Sequence, residues 1–90
     1  MFVTVITKDK PDSLQLRLDN RDAHIAYLKS SECVRMAGPF LDADGKMSGS
    51  LLVLEVETMD EATTWAANDP YVKAGLFEKS RIEHWNKVIG

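Results

Sequence analysis

The side chains of this chain best suited to moving a proton are His24 and Asp69, and those best suited to holding an anion are Arg17 and Arg21. Arg17, Arg21 and His24 follow one another at intervals of four and three residues, which places them along one face of a helix. An imidazole at the edge of such a face is desolvated enough to titrate near neutrality while still reaching a substrate, as a general base or acid requires. Two guanidinium groups one turn apart suit a carboxylate clamp. The same spacing also fits a boundary histidine with a backbone partner, flanked by arginines whose stems cover the core while their heads stay in water.

Asp69 stands in Asn68-Asp69-Pro70-Tyr71 and inherits the phase of Ala62, Trp65 and Ala66, the apolar side of a helix-like segment. A negative charge at a helix C-terminus costs several tenths of a kcal/mol, so something must compensate it. One compensation is an N-cap: Asp followed by Pro opens a short helix, here Pro70 to Ala74 closed by Gly75. A second is a partner on a neighbouring helix. A carboxylate has two oxygens, so one can cap while the other accepts a hydrogen bond from the His24 imidazole and fixes its tautomer. Spacing leaves both open.

These side chains need elements to hold them. Phe2 to Thr7 is rich in Val, Ile and Thr and runs into Lys8-Asp9-Lys10-Pro11, as a strand entering a loop does. From about Asp12 to Ser31, Leu14, Leu18, Ile25 and Leu28 recur at helical intervals and predict the buried stripe of a helix, with Arg17, Arg21 and His24 at its edge. Glu32 to Pro39 and Gly49 to Val56 read as two strands around an Asp44-Gly45 turn. Thr58 and Glu61 have capping-box spacing and open a helix over Met59 to Asn68. Phe77 to Val88 returns to an extended pattern.

The order βαββαβ predicts an α+β, ferredoxin-like sandwich with both helices on one face of a four-stranded sheet. Strands one and three are apolar in both alternating phases, whereas a sheet with one wet face alternates apolar and polar. A second copy of the chain, packed sheet against sheet, would cover the other face, so a homodimer through the open sheet face is expected.

Gly38-Pro39 and Ser48-Gly49-Ser50 are small residues at facing ends of two strands, positions that either line a pocket mouth or satisfy hairpin geometry. Tyr71 and Trp85 are candidates for stacking on a ligand, or else core and interface aromatics. Ser48 and Ser50 show no activating partner, His84 has no evident acid beside it, and Cys33 reads as a small buried residue.

Bulk composition narrows the classes. At 90 residues, 44% hydrophobic and a net charge of -3, the chain reads as a single globular domain over residues 1–90. There is no basic patch for nucleic acid, no apolar run near the ~20 residues that span a bilayer, and no pattern of a signal peptide. Two histidines and one cysteine give no metal-ligand spacing, and no cofactor is expected. The expected setting is cytoplasmic.

Taken in order, Arg21-x-x-His24, Gly38-Pro39, Asp44-Gly45-x-x-Ser48-Gly49-Ser50, Glu61-Ala62, Asn68-Asp69-Pro70-Tyr71 and Ala74-Gly75-Leu76-Phe77 resemble the YciI-like (YCII) family over nearly the whole chain. The resemblance implies a dimeric α+β barrel and an active site built on a histidine and an aspartate, which fall here on His24 and Asp69. Asp22 stands where members often carry proline, adding an acid near that site. The function expected is a small cofactor-independent enzyme, of isomerase or lyase type, acting by proton transfer on a small, anionic metabolite. Arg17, Arg21, Gly38, Pro39, Ser50 and Tyr71 are the expected substrate contacts. The competing reading is a non-catalytic module that senses a small molecule in the same pocket, and a third is cofactor-free oxygenation as in related barrels.

Overall fold

The computed structural model describes residues 1–90. The elements are β1 (Phe2–Asp9), α1 (Leu14–Ser30), β2 (Val34–Leu41), β3 (Met47–Glu55), α2 (Met59–Ala67), α3 (Pro70–Lys73) and β4 (Phe77–Trp85). The sheet runs β2-β3-β1-β4 with every neighbour antiparallel, the ferredoxin-like α+β arrangement. No helix is long and apolar enough to cross a membrane.

Alternation along the strands assigns the two faces. On β1, Val3, Val5, Thr7 and Asp9 point to the helices and are buried, and on β3 Ser50, Leu52 and Leu54 do the same. These meet Ala62 and Ala66 of α2, both small enough to bring the helix close to the sheet, with Leu28 and Trp65 packed alongside. The opposite face carries Phe2, Ile6, Met36, Phe40, Leu51 and Trp85; Met36 is 60% exposed and Trp85 rests edge-on against Phe2. Both phases of β1 and β3 are therefore apolar for different reasons, one because it is core and the other because it forms an uncovered apolar face.

The hairpin between β2 and β3 turns on Asp42 and Gly45. Asp42 Oδ1 accepts from the amides of Asp44 and Lys46, and Gly45 takes φ 79°, a conformation that glycine adopts without strain. Gly49 serves a different need. A Cβ there would lie 2.3 Å from the Thr7 carbonyl oxygen, so only glycine lets β3 approach β1 at this rung. At the other end of the sandwich, Tyr27 stacks on Trp65 at 5.0 Å and donates to the Trp65 carbonyl, while Trp65 Nε1 donates to Ser31 Oγ. This network holds α1 beside α2.

Several elements differ from the sequence reading: β4 ends at Trp85 and not at Val88, which is 83% exposed, and the β2–β3 hairpin extends to Leu41 and Met47, past the expected Pro39 and Gly49. β1 does not stop at Thr7: it runs to Asp9, with a register shift at Lys8/Asp9 that keeps the last residue paired with β4. The helix α1 is also rotated from its expected stripe. Leu18 is 47% exposed, and the buried residues are Arg17 and His24. A helical wheel counts arginine and histidine as polar and turns them outward, whereas here each meets a buried carboxylate supplied by another element.

Candidate functional site

Arg17 is 2% exposed and bound on two sides. Its Nε donates to Asp9 Oδ2 at 2.7 Å and its Nη2 to Asp9 Oδ1 at 3.1 Å, a bidentate pair, while Nη2 also donates to Ser50 Oγ at 2.8 Å. Asp9 reaches this position because β1 continues in alternation past Val5 and Thr7. The guanidinium carbon lies 4.7 Å from the centre of the Tyr71 ring, so its flat face is covered by an aromatic.

One turn and three residues further along α1, His24 Nδ1 lies 2.8 Å from Asp69 Oδ1. A carboxylate can only accept, so Nδ1 carries the proton of this hydrogen bond, and Nε2 has no protein partner. The same Oδ1 accepts from the Tyr71 amide at 2.9 Å, which makes Asp69 the N-cap of α3. The sequence reading assigned the two tasks to separate oxygens, but the structure puts both on Oδ1. The ring of Tyr71 lies flat against the imidazole, with centroids 3.9 Å apart and planes inclined by 15°. Burial pushes the Tyr71 phenol above its usual range, against the pull of Arg17 and Arg21, so it remains a neutral hydroxyl.

These groups surround a cavity of about 150 Å³ between α1 and the β2–β3 hairpin, lined by Arg17, Arg21, His24, Gly38, Pro39, Ser50 and Tyr71 among others. Every substrate contact named from the sequence lies on this wall, and Asp69 supports His24 from behind it. Gly38 pairs with Leu51, so a Cβ there would point to the uncovered sheet face, where nothing lies within 4 Å, and only its backbone borders the cavity. Arg21 is exposed and has no carboxylate partner. The two arginines do not form a matched clamp: Arg17 is neutralised by Asp9, and Arg21 supplies the free positive charge. The remaining sequence candidates lie elsewhere. His84 and Trp85 are exposed near the end of β4, and Cys33 is half-buried with its thiol pushed up by burial and thus protonated. Neither His84, Trp85 nor Cys33 lines the cavity.

Asp9 is the residue that the sequence did not single out. The signal was present: continuing the Val3, Val5, Thr7 alternation by one step puts residue 9 on the helix side of the sheet.

The model of the YCII-related domain matches residues 1–86. Protein YciI of Escherichia coli O6:H1 is 34% identical over a 98-residue alignment that covers 99% of this chain and 100% of that protein. Among solved structures, the 5-chloro-2-hydroxyhydroquinone dehydrochlorinase TftG of Burkholderia phenoliruptrix, in complex with 2,5-dihydroxybenzoquinone, is 41% identical with a TM-score of 0.90, covering 96% of this chain and 94% of that one. An antibiotic biosynthesis monooxygenase matches in fold alone, at 10% identity and a TM-score of 0.62 over 98% of each chain.

Proposed function

The chain belongs to the YCII-related family, and from that premise we propose that it is a small enzyme in which His24, held by Asp69, moves a proton on a small anionic molecule bound beside Arg21. The observation that carries this reading is the 2.8 Å contact between His24 Nδ1 and Asp69 Oδ1, which leaves Nε2 unpartnered on a side chain that lines a cavity. Arg21 supplies the counter-charge at the mouth, Ser50 and the Arg17 guanidinium form the polar end, and Tyr71 gives a flat apolar wall.

The likeness to TftG, a dehydrochlorinase, suggests the substrate class: a hydroxylated ring that loses a proton and a leaving group. Nε2 takes the proton, the freed electron pair moves into the ring, and the leaving group departs as an anion with its bonding pair. The net change is loss of an acid, with no oxidant or reductant consumed. Returning the proton to another carbon of the same ligand gives isomerisation with the same residues. Asp69 stabilises the imidazolium formed midway, and its orienting hydrogen bond keeps the lone pair aimed at the substrate.

A second part of the proposal concerns the uncovered sheet face. A copy of this chain is its occupant. The face is apolar at its centre, and the charges on it pair within the chain, Arg35 with Glu55 and Arg81 with Glu83, so no excess charge of one sign opposes a second copy. Light scattering of the wild type should give twice the chain mass, and Leu51→Lys should give the monomer.

The deciding experiment uses 5-chloro-2-hydroxyhydroquinone as the probe substrate, chloride release as the readout and 2,5-dihydroxybenzoquinone as the binding probe. Turnover by the wild type, falling about 10²- to 10⁴-fold in His24→Ala while 2,5-dihydroxybenzoquinone still binds, is the expected result. Equal turnover in His24→Ala would overturn the role of the dyad. Binding without turnover in the wild type would favour a non-catalytic sensor.

A further inference from the structure

Two side chains of α1, about two helical turns apart, hold the Tyr71 ring in place. The His24 imidazole is stacked on it at 3.9 Å and the guanidinium carbon of Arg17 lies 4.7 Å from its centre, while Phe77 meets it edge-on at 6.0 Å. The residue is buried and its ring cannot turn, yet its hydroxyl donates to no acceptor in the chain. Arg17 beside it can only donate, so that proton stays free. Thr7 Oγ1 is the one unpaired side-chain polar atom sealed inside the protein, so the Tyr71 hydroxyl is open to the arginine-lined cavity that its residue borders.

Ser50 is in the same condition. Its Oγ accepts from Arg17 Nη2 at 2.8 Å, and a guanidinium has no acceptor to offer in return, so the serine proton is free as well. Both hydroxyls therefore stand against one cation on the wall of one cavity. Asp9 binds that cation through two oxygens, so this end is rich in proton donors while the pair beneath it is neutral as a whole. Arg21, exposed and without a carboxylate partner, keeps its full charge. Neutral donors held in place favour an oxygen on which charge develops, whereas a free cation favours one that arrives charged. The larger cavity on the other side of Asp69, of about 220 Å³ between α2, α3 and the β1–β4 half of the sheet, has no such end: no arginine, lysine or histidine lines it.

We propose that Tyr71 and Ser50 are catalytic hydrogen-bond donors whose hydroxyls receive the carbonyl oxygen of a ring substrate, while Arg21 holds an ionised hydroxyl of the same ring. The substrate class is then the ketone form of a hydroxylated ring. This rests on the proton-transfer reading of His24 and adds where the charge goes. When Nε2 removes a proton from the carbon beside the carbonyl, the C–H bonding pair forms a C=C bond and the carbonyl π pair moves onto oxygen, where both hydroxyls hold it without giving up their own protons. Return of that pair to the ring expels the leaving group with its bonding electrons, and no oxidant or reductant is consumed. Tyr71 suits the task because burial keeps its phenol protonated and its packing keeps the hydroxyl aimed. The size of the cavity, about 150 Å³, suits one ring, since an engineered cavity of roughly that volume takes up benzene.

Tyr71→Phe keeps the ring and its stacking and removes only the hydroxyl. With 5-chloro-2-hydroxyhydroquinone as substrate, kcat should fall about 10²-fold with KM within about threefold, and Ser50→Ala should show the same split at about tenfold. A second measurement does not depend on turnover. Hydrogen bonds to the oxygens of 2,5-dihydroxybenzoquinone shift its visible absorption, so its band should be displaced when bound to the wild type. In Tyr71→Phe the ligand should still bind with a smaller displacement, and His24→Ala, which retains both hydroxyls, should keep most of it. The same band in Tyr71→Phe and wild type, a rise in KM with kcat unchanged, or no binding by the wild type would each overturn the assignment. Equal turnover in His24→Ala, with the displacement still dependent on Tyr71, would remove the dyad and leave the two hydroxyls as the groups that bind the ring oxygen.

Discussion

Two cavities on the helix-covered face of this sheet are separated by little more than Leu52 and the His24–Asp69 hydrogen bond, yet they present opposite electrostatic characters. The one between α1 and the hairpin holds two arginines and an imidazole. The one beneath α2 and α3 holds hydroxyls, apolar side chains and the dyad carboxylate. The difference comes from which helix faces which strands. α1 brings three basic side chains at helical spacing over β3, and α2 brings alanines over β1. A short helix, α3, stands between them and gives Tyr71 to one cavity and Asp69 to the other. A small sheet can thus carry two chemically distinct cavities when one capped turn divides its covered face.

Removing the shared residue should have the largest effect. In Asp69→Asn the N-cap survives, because asparagine caps as well as aspartate, but the imidazole loses its negative partner. Turnover of the probe substrate should fall by about 10³- to 10⁴-fold with the unfolding free energy within about 1 kcal/mol of wild type, as read by steady-state kinetics and urea unfolding. A smaller loss in turnover together with a large loss in stability would show that Asp69 serves the cap alone.

Next in size is Asp9→Ala, which leaves the Arg17 cation buried and unpaired. Breaking such a pair costs about 3 to 5 kcal/mol in urea unfolding. The effect should be felt in the arginine-lined cavity, where Arg17 also holds Ser50. Arg21→Ala separates the cavities at lower cost. Arg21 is exposed and unpaired, so stability should move by less than about 0.5 kcal/mol, while KM for an anionic substrate rises about tenfold and the lining of the other cavity is untouched.

The smallest effect should appear only at alkaline pH. Burial raises the Tyr71 pKa above its ordinary value of 10.0, so the folded protein holds this proton more tightly than the unfolded chain. The resulting stability is complete below about pH 10 and is lost as the pH rises through the higher folded value. Tyr71→Phe should flatten that part of the pH–stability curve. Tyr27, also raised by burial, contributes in the same direction and stays in both proteins.

The element order and most of the arginine-lined cavity were legible in the sequence because they depend on local signals. The Asp-Gly turn, the Thr58 cap and the Asp69-Pro70 helix start each act within a few residues. His24, Arg21, Gly38, Pro39, Ser50 and Tyr71 could be grouped because their order and spacing match a family pattern. Asp9 was missed because its meaning is set by Arg17 on another element, and a charge beside Lys8 and Lys10 looks like a loop. The rotation of α1 was missed for the same reason: burial of a cation follows from its partner, which periodicity does not carry. The second cavity has no motif at all. It is a gap left where alanines of α2 meet β1, and its polar lining, Thr7 and Asp69 among it, comes together only once the chain is folded.

One oxygen of Asp69 accepts from both His24 Nδ1 and the Tyr71 amide. The backbone proton of Tyr71 is therefore a built-in reporter: it exchanges with solvent only when the four-residue helix opens, and that same opening releases the imidazole. Hydrogen exchange at this single amide reads how often the Asp69 cap, and with it the His24–Asp69 contact, comes apart, with no ligand in the tube.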